Sequence, residues 1–339
     1  MRLVQVCNVG QICGGTAACA WTIAKSFPDW EHELLFLSPP TPETRRAFAP
    51  LTVKQVDRVD DKVLARFAPH LVILHNTAVR HIGRIEQCPT LQYCHSMGEH
   101  AAATLTVACS CWLSQKLPRA VPVLYQPVPR PSAIGPLPLR HLADTLIVGR
   151  ICTPQRRKWP RDLLDFYAHL AERFPETIWE FVGCPGDFQP DLQVACRHRA
   201  EFHPASWDAR QLLGRWHALL YHHPTLTESF GRTVSEAMRA GCVPIVDRRG
   251  GFVEQVRTDK NGFLCQNINE FAAAISALSQ SARWWSMSKA ARSTADENFS
   301  LRAFRRRFLA MLNQEFSVVS HQFEPSHAFQ KQFTLAHSD

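Results

Sequence analysis

Two glutamates eight residues apart, Glu228 and Glu236, stand in the stretch TLTESFGRTVSEAMRAGCVPIVDRRGGFVEQV, with Phe230 and Gly231 between them. The pattern predicts a helix starting near Gly231, so that Glu228 lies on the loop before it and Glu236 in its early turns. Both carboxylates can then face one space without being neighbours on the helix. A helix start behind a glycine offers backbone N–H groups and the positive end of the helix dipole, which suits phosphate. Carboxylates beside it accept hydrogen bonds from sugar hydroxyls. A phosphate cradle flanked by two hydroxyl-binding acids is what a nucleotide sugar needs.

Cations follow the same logic. Arg150 ends the run LIVGR, and Lys158 comes eight residues later in QRRKWPRDLLDF. Two such cations can neutralise a pyrophosphate leaving group without a metal. Near the N-terminus, GQICGGTAACAWTIAK sets Gly14, Gly15 and Thr16 between a strand and a helix. Its residues fit a tight turn as well as a backbone approach to phosphate. His95, in LQYCHSMGEH, ends a predicted strand, but with 16 histidines in the chain it also fits a hydrogen-bonded structural role. His75, His222 and His223 end strands too, without the spacing of a helical metal motif.

Alternating elements must hold these residues in place. Strands are predicted at Leu3–Cys7, Glu33–Leu37, Leu71–His75, Leu91–His95, Thr104–Cys109 and Val121–Tyr125 in the first half. The second half has Thr145–Val148, Trp179–Val182, Ala218–Tyr221 and Val243–Val246. Helical stretches between them include Thr16–Lys25, Lys62–Phe67, Arg161–Arg173, Thr233–Ala240, Phe271–Leu278 and Ala282–Glu297. Strands alternating with helices predict parallel α/β sheets. Five prolines between Pro127 and Arg140 exclude regular helix and remove ladder donors, so 128–142 reads as a linker. The domains are then 1–127 and 143–300, two similar α/β domains with a cleft between them. A helix over 301–316 carries apolar positions 301, 304, 308, 311 and 312 on one face, and the polar tail 317–339 is expected to be disordered.

Composition narrows the class. The 339 residues are 45% apolar and 20% charged, which excludes disordered and fibrous proteins. The 12 cysteines form no CxxC pair, so they read as reduced, mostly buried residues and not as a zinc site or disulfide framework. No long apolar leader and no spanning segment is evident, and a cytoplasmic protein is expected. The net charge of +8 fits an anionic partner or plain solubility. The basic runs Arg156–Lys158 and Arg305–Arg307, with Trp284–Trp285, raise peripheral contact with anionic lipid at the inner membrane face; a solvated helix face is the plainer reading. Nucleic-acid binding is not expected, for want of a recognition module.

The ordered string ESFGRTVSEAMRAGCVPIV, followed by Gly250–Gly251–Phe252–Val253–Glu254 and Asn261–Gly262, resembles the EX7E motif of retaining GT-B glycosyltransferases of the family-4 type, the glycosyl transferases group 1. The likeness covers about Leu146 to Phe263 well and the front half loosely. It implies a GT-B fold, α/β with two Rossmann-like domains facing a cleft, whose last helix crosses back to the N-terminal domain. It also implies a metal-independent transfer from a nucleotide-sugar co-substrate, with no other cofactor, to an unidentified saccharide, lipid or small-molecule acceptor. By that resemblance Glu236 holds the nucleotide ribose and Glu228 the donor sugar. Arg150, Lys158 and the backbone around Gly231, Arg232 and Thr233, beside Phe230, receive the diphosphate. Gly15 lies near donor phosphate and acceptor, and His95 near the transferred sugar. Trp159–Pro160 stand where the family usually has glycine after the lysine. Two alternatives share nucleotide binding: a GT-B sugar-nucleotide epimerase, and a non-catalytic relative that binds the nucleotide sugar.

Overall fold

A computed structural model describes residues 1–131 and 145–319. The chain divides into two compact units, one formed by Met1–Pro127 with the segment from Leu301 onward, the other by Val128–Ser300.

The first unit carries six strands: β1 (Arg2–Cys7), β2 (Glu31–Phe36), β3 (Val53–Gln55), β4 (Leu71–His75), β5 (Thr90–Cys94) and β6 (Leu105–Ala108). They form one sheet in the order β3-β2-β1-β4-β5-β6, every pair parallel. β4 and β5 are buried at every position, as strands covered on both faces must be. The second unit repeats the plan with β7 (Ile147–Ile151), β8 (Ile178–Val182), β9 (Ala200–His203), β10 (Ala218–Tyr221), β11 (Val243–Asp247) and β12 (Phe263–Cys265). Its order is β12-β11-β10-β7-β8-β9, again all parallel. Counted from each unit's first strand, both orders are 3-2-1-4-5-6, the Rossmann arrangement. Its ligand crevice opens at the strand carboxyl ends where the order reverses. That switch point falls between β1 and β4 in one unit and between β7 and β10 in the other.

The helix Leu301–Val319 packs on the first unit: Phe304 and Phe308 lie 6.3 and 5.4 Å from the Phe27 ring, and Arg305 Nη2 bonds Asp29 at 3.0 Å. It runs three residues past the expected end at 316. The rest of the tail expected over 317–339, and most of the linker expected over 128–142, lie outside the described residues. No described helix is long and apolar enough to cross a membrane.

One expected strand is absent. Val121–Tyr125 makes only a single bridge, Ala108 to Val123, because Pro122 has no N–H to continue a ladder. Three short strands, β3, β9 and β12, join at or near the sheet edges without having been expected. All 12 cysteines are free, and nine of them are buried.

Candidate functional site

Two loops at the switch point of the second unit carry the predicted residues. β7 delivers Arg150, and a 3-10 turn at Arg156–Lys158 follows. β10 leads through Tyr221, His222 and His223 into the loop that holds Glu228. Gly149, just before Arg150, has no room for a side chain, since a Cβ would sit 2.1 Å from the Trp216 ring that crosses β7.

Arg150 is wholly buried. Its guanidinium donates Nη1 to His222 O at 2.8 Å and Nη2 to Lys158 O at 2.9 Å, and it lies 4.7 Å from the Tyr221 ring. The residue therefore clasps the bases of both loops and is not turned out to a ligand. Trp159, in the family's glycine position, is the plug of this turn: it is buried, with Nε1 on Thr153 O at 3.1 Å. The turn so anchored aims Lys158 at Glu228, and Lys158 Nζ donates to Glu228 Oε1. The same oxygen takes the Tyr221 hydroxyl at 2.7 Å. Burial pushes the Glu228 carboxyl up, but Lys158, Tyr221 and nearby Arg157 more than offset it and hold the pKa below the ordinary value.

Gly231 turns the chain into the helix Arg232–Ala240 with φ +76°, a left-handed conformation that favours glycine, and a Cβ there would lie 2.2 Å from Phe252. This helix start brings Gly231, Arg232 and Thr233 beside the Glu228 loop. Phe230 is buried against Phe299 at 5.7 Å, so it can offer a ligand only its backbone. Glu236, one turn into the helix, is also buried; its Oε1 accepts Arg232 Nε at 2.8 Å and Arg210 Nε at 3.0 Å. Arg210 comes from the β9–β10 connection and stacks 3.8 Å from the Trp207 ring. Behind the loop, Gly251 N bonds Glu228 O at 2.9 Å, and buried Gln255 donates to Phe230 O. Asp247 ends β11 and bonds His222 Nδ1 at 2.7 Å and His223 N at 2.8 Å. His222 and His223 are thus loop fasteners.

The other two predicted residues belong to the first unit. Gly15 opens the helix Gly15–Ser26 after β1, and a Cβ there would meet nothing within 4 Å. His95 follows β5 in a chain of buried polar groups. Gln5 Nε2 donates to Ala20 O at 3.1 Å, so Gln5 Oε1 accepts from His75 Nε2 at 3.0 Å. His75 Nδ1 must then accept from His95 Nε2, 2.9 Å away, and His95 Nδ1 accepts from Gln126 Nε2 at 2.7 Å. The His75 ring is neutral in this chain, in keeping with the burial that drives its pKa down to about 3. Cys19 approaches the two imidazoles closely enough for a three-ligand metal cluster. However, the ring planes lie 8° apart and the facing nitrogens sit at hydrogen-bond distance, the geometry of a proton between them.

The structure thus brings Lys158 and Glu228 together, and Arg232 with Glu236, while Arg150 stands behind. Sequence reasoning passed over Tyr221, Arg210, Gln255 and Gln126. The cue for Tyr221 was a polar tip at the end of an otherwise apolar strand.

Residues 143–281 match the family model for glycosyl transferases group 1. Among solved structures the chain is similar to Alr3699/HepE of Anabaena, determined in complex with UDP and glucose. The identity is 18%, the coverage 93% of this chain and 100% of that one, and the TM-score 0.71. A glycosyltransferase of Rickettsia africae is 14% identical over 93% and 98% of the two chains, with a TM-score of 0.72. Sucrose-phosphate synthase of Thermosynechococcus elongatus is 15% identical over 94% and 100%, with a TM-score of 0.70. No curated protein matches by sequence. The fold is GT-B: two Rossmann-like domains, each built on a six-stranded parallel sheet.

Proposed function

We propose that the protein is a retaining glycosyltransferase of the EX7E, family-4 type, moving a sugar from a nucleotide donor to a saccharide, lipid or small-molecule acceptor without a metal. The observation that carries this reading is the meeting of Lys158 with Glu228 beside the Gly231 helix start, eight residues before Glu236. Lys158 and the Gly231–Thr233 backbone receive the donor diphosphate and stabilise the charge that grows on it as the glycosidic bond breaks. Arg150 fixes the Lys158 carbonyl and so acts as a positioning residue. Glu228 accepts from donor-sugar hydroxyls, and Glu236 from the ribose. A phosphate oxygen of the donor takes the acceptor's proton on the face the leaving group departs from, so no protein nucleophile is needed.

On the first unit, Gly15 gives the backbone room to approach a ligand. His95, with both ring nitrogens spent within the unit, contributes shape and backbone rather than proton transfer. Within the basic runs, Arg156 pairs with Asp187, Lys158 with Glu228 and Arg305 with Asp29. We propose a cytoplasmic location, peripheral contact at the inner membrane face included.

The test is a hydrolysis screen of the purified chain against UDP-, GDP- and ADP-sugars without acceptor, with and without EDTA. Slow release of one nucleoside diphosphate, unchanged by EDTA, is expected. Strict dependence on a divalent ion would mean that Lys158 and the helix start do not carry the leaving-group charge. Epimerisation of the donor sugar would replace transferase by epimerase, and binding without any turnover would leave a nucleotide-sugar-binding protein.

A further inference from the structure

We propose that Tyr221 is the positioning residue of Glu228, holding its carboxylate through the hydroxyl bond to Oε1 when Lys158 turns to a donor's phosphates. This assignment rests on the donor reading above. Glu228 Oε1 takes two donors, the Lys158 ammonium and the Tyr221 hydroxyl. A diphosphate competes for Lys158 with more negative charge than one carboxylate carries, so the ion pair is weakened just when the sugar is bound. Tyr221 is neutral and is not drawn away by phosphate.

Its position is also fixed. The ring is 4% exposed, packs edge-on to Phe252 at 5.2 Å and faces the Arg150 guanidinium at 4.7 Å. Burial raises the phenol far above its ordinary range, so the proton stays on oxygen and the group remains a donor. With both protein donors on Oε1 and the Glu228 side chain 24% exposed, Oε2 is the oxygen left for a sugar hydroxyl. The charged and titratable groups around this carboxylate are Lys158 and Arg157 from the 3-10 turn, Cys152 after β7, and Tyr221 itself, with Arg150 behind the phenol. Among these, Tyr221 is the neutral donor bonded to the carboxylate.

Tyr221→Phe keeps the ring and removes the hydroxyl alone. In the full chain labelled with 13C-glutamate, the Glu228 carboxyl signal is identified by its loss in Glu228→Gln and titrated in wild type and Tyr221→Phe. Kinetics are run on whichever of UDP-glucose, UDP-N-acetylglucosamine, GDP-mannose and ADP-glucose the wild type hydrolyses. The expected result is an upward move of the Glu228 midpoint, a kcat lower by about tenfold, the scale of one hydrogen bond to a charged group, and an acid limb of the rate profile moved up with it. KM and melting temperature stay near wild type, which separates positioning from structural damage. An unmoved midpoint, or a moved midpoint with unchanged kcat, in an active enzyme overturns the assignment alone. A wild type that hydrolyses none of the four overturns the donor reading and this assignment with it.

Discussion

Glu228 and Glu236 differ in what already holds them, and that difference predicts separable phenotypes. Glu228 is partly exposed and shared between a lysine and a phenol; Glu236 is buried under two arginines. Glu228→Gln should keep nucleoside-diphosphate affinity and lose about 10²-fold or more in turnover, because a contact to the reacting sugar strengthens in the transition state. Glu236→Gln should weaken nucleotide binding by about 1.5–3 kcal/mol, the range for a hydrogen bond to a charged group, as read by titration calorimetry. Both variants should lower the melting temperature by removing the anion shared by Arg210 and Arg232, and Glu236→Ala more than Glu236→Gln, which keeps an acceptor oxygen for them. Normal turnover in Glu228→Gln with collapsed binding would reverse the two roles. At His75 the prediction concerns acid. Burial lowers its pKa to about 3, so between its unfolded value and that point the unfolded chain binds a proton the native one refuses. Stability should therefore fall as pH drops below about 6.5, the model-peptide value for histidine. His75→Gln should show a flatter dependence in melts from pH 7 to 5.

At the scale of elements, two glycines make opposite predictions. Gly231→Ala puts a side chain at φ +76° and against Phe252, and should cost well above the roughly 1–2 kcal/mol of a left-handed residue, with loss of activity. Gly15→Ala meets nothing within 4 Å and should melt at or above the wild-type temperature, since alanine is the better helix former by about 1 kcal/mol. If a ligand approaches the Gly15 backbone, activity falls in this well-folded variant; full activity would show that no ligand comes close. Much of this level was legible in the chain. β4, β5, β10 and β11 are unbroken buried runs, and the Glu228–Gly231–Glu236 spacing describes a loop, a turn and a helix. β3 and β12, with three residues each, were not legible, because so short an edge strand exists only through its neighbour. Val121–Tyr125 misled because its apolar run imitates a strand while Pro122 breaks the ladder. Tyr221, Arg210 and Gln255 act through contacts 7, 26 and 25 residues away, which only chain closure creates.

For the whole molecule, the C-terminal helix matters because it returns to the unit that the chain left at Pro127. Its apolar stripe was readable from the 301, 304, 308 spacing, whereas its partner Phe27 was not. Phe308→Ala, removing a fully buried ring, should destabilise the first unit by about 3–5 kcal/mol in denaturant melts and leave nucleotide affinity unchanged. Whether the second unit receives a nucleotide is decided most directly by hydrogen exchange with mass spectrometry on the full chain, alone and with UDP, GDP or ADP. One of the three should slow exchange across the Arg156–Lys158 turn and the start of the helix Arg232–Ala240. Unchanged exchange in both segments with all three nucleotides, or protection confined to the first unit, would contradict the proposed donor site.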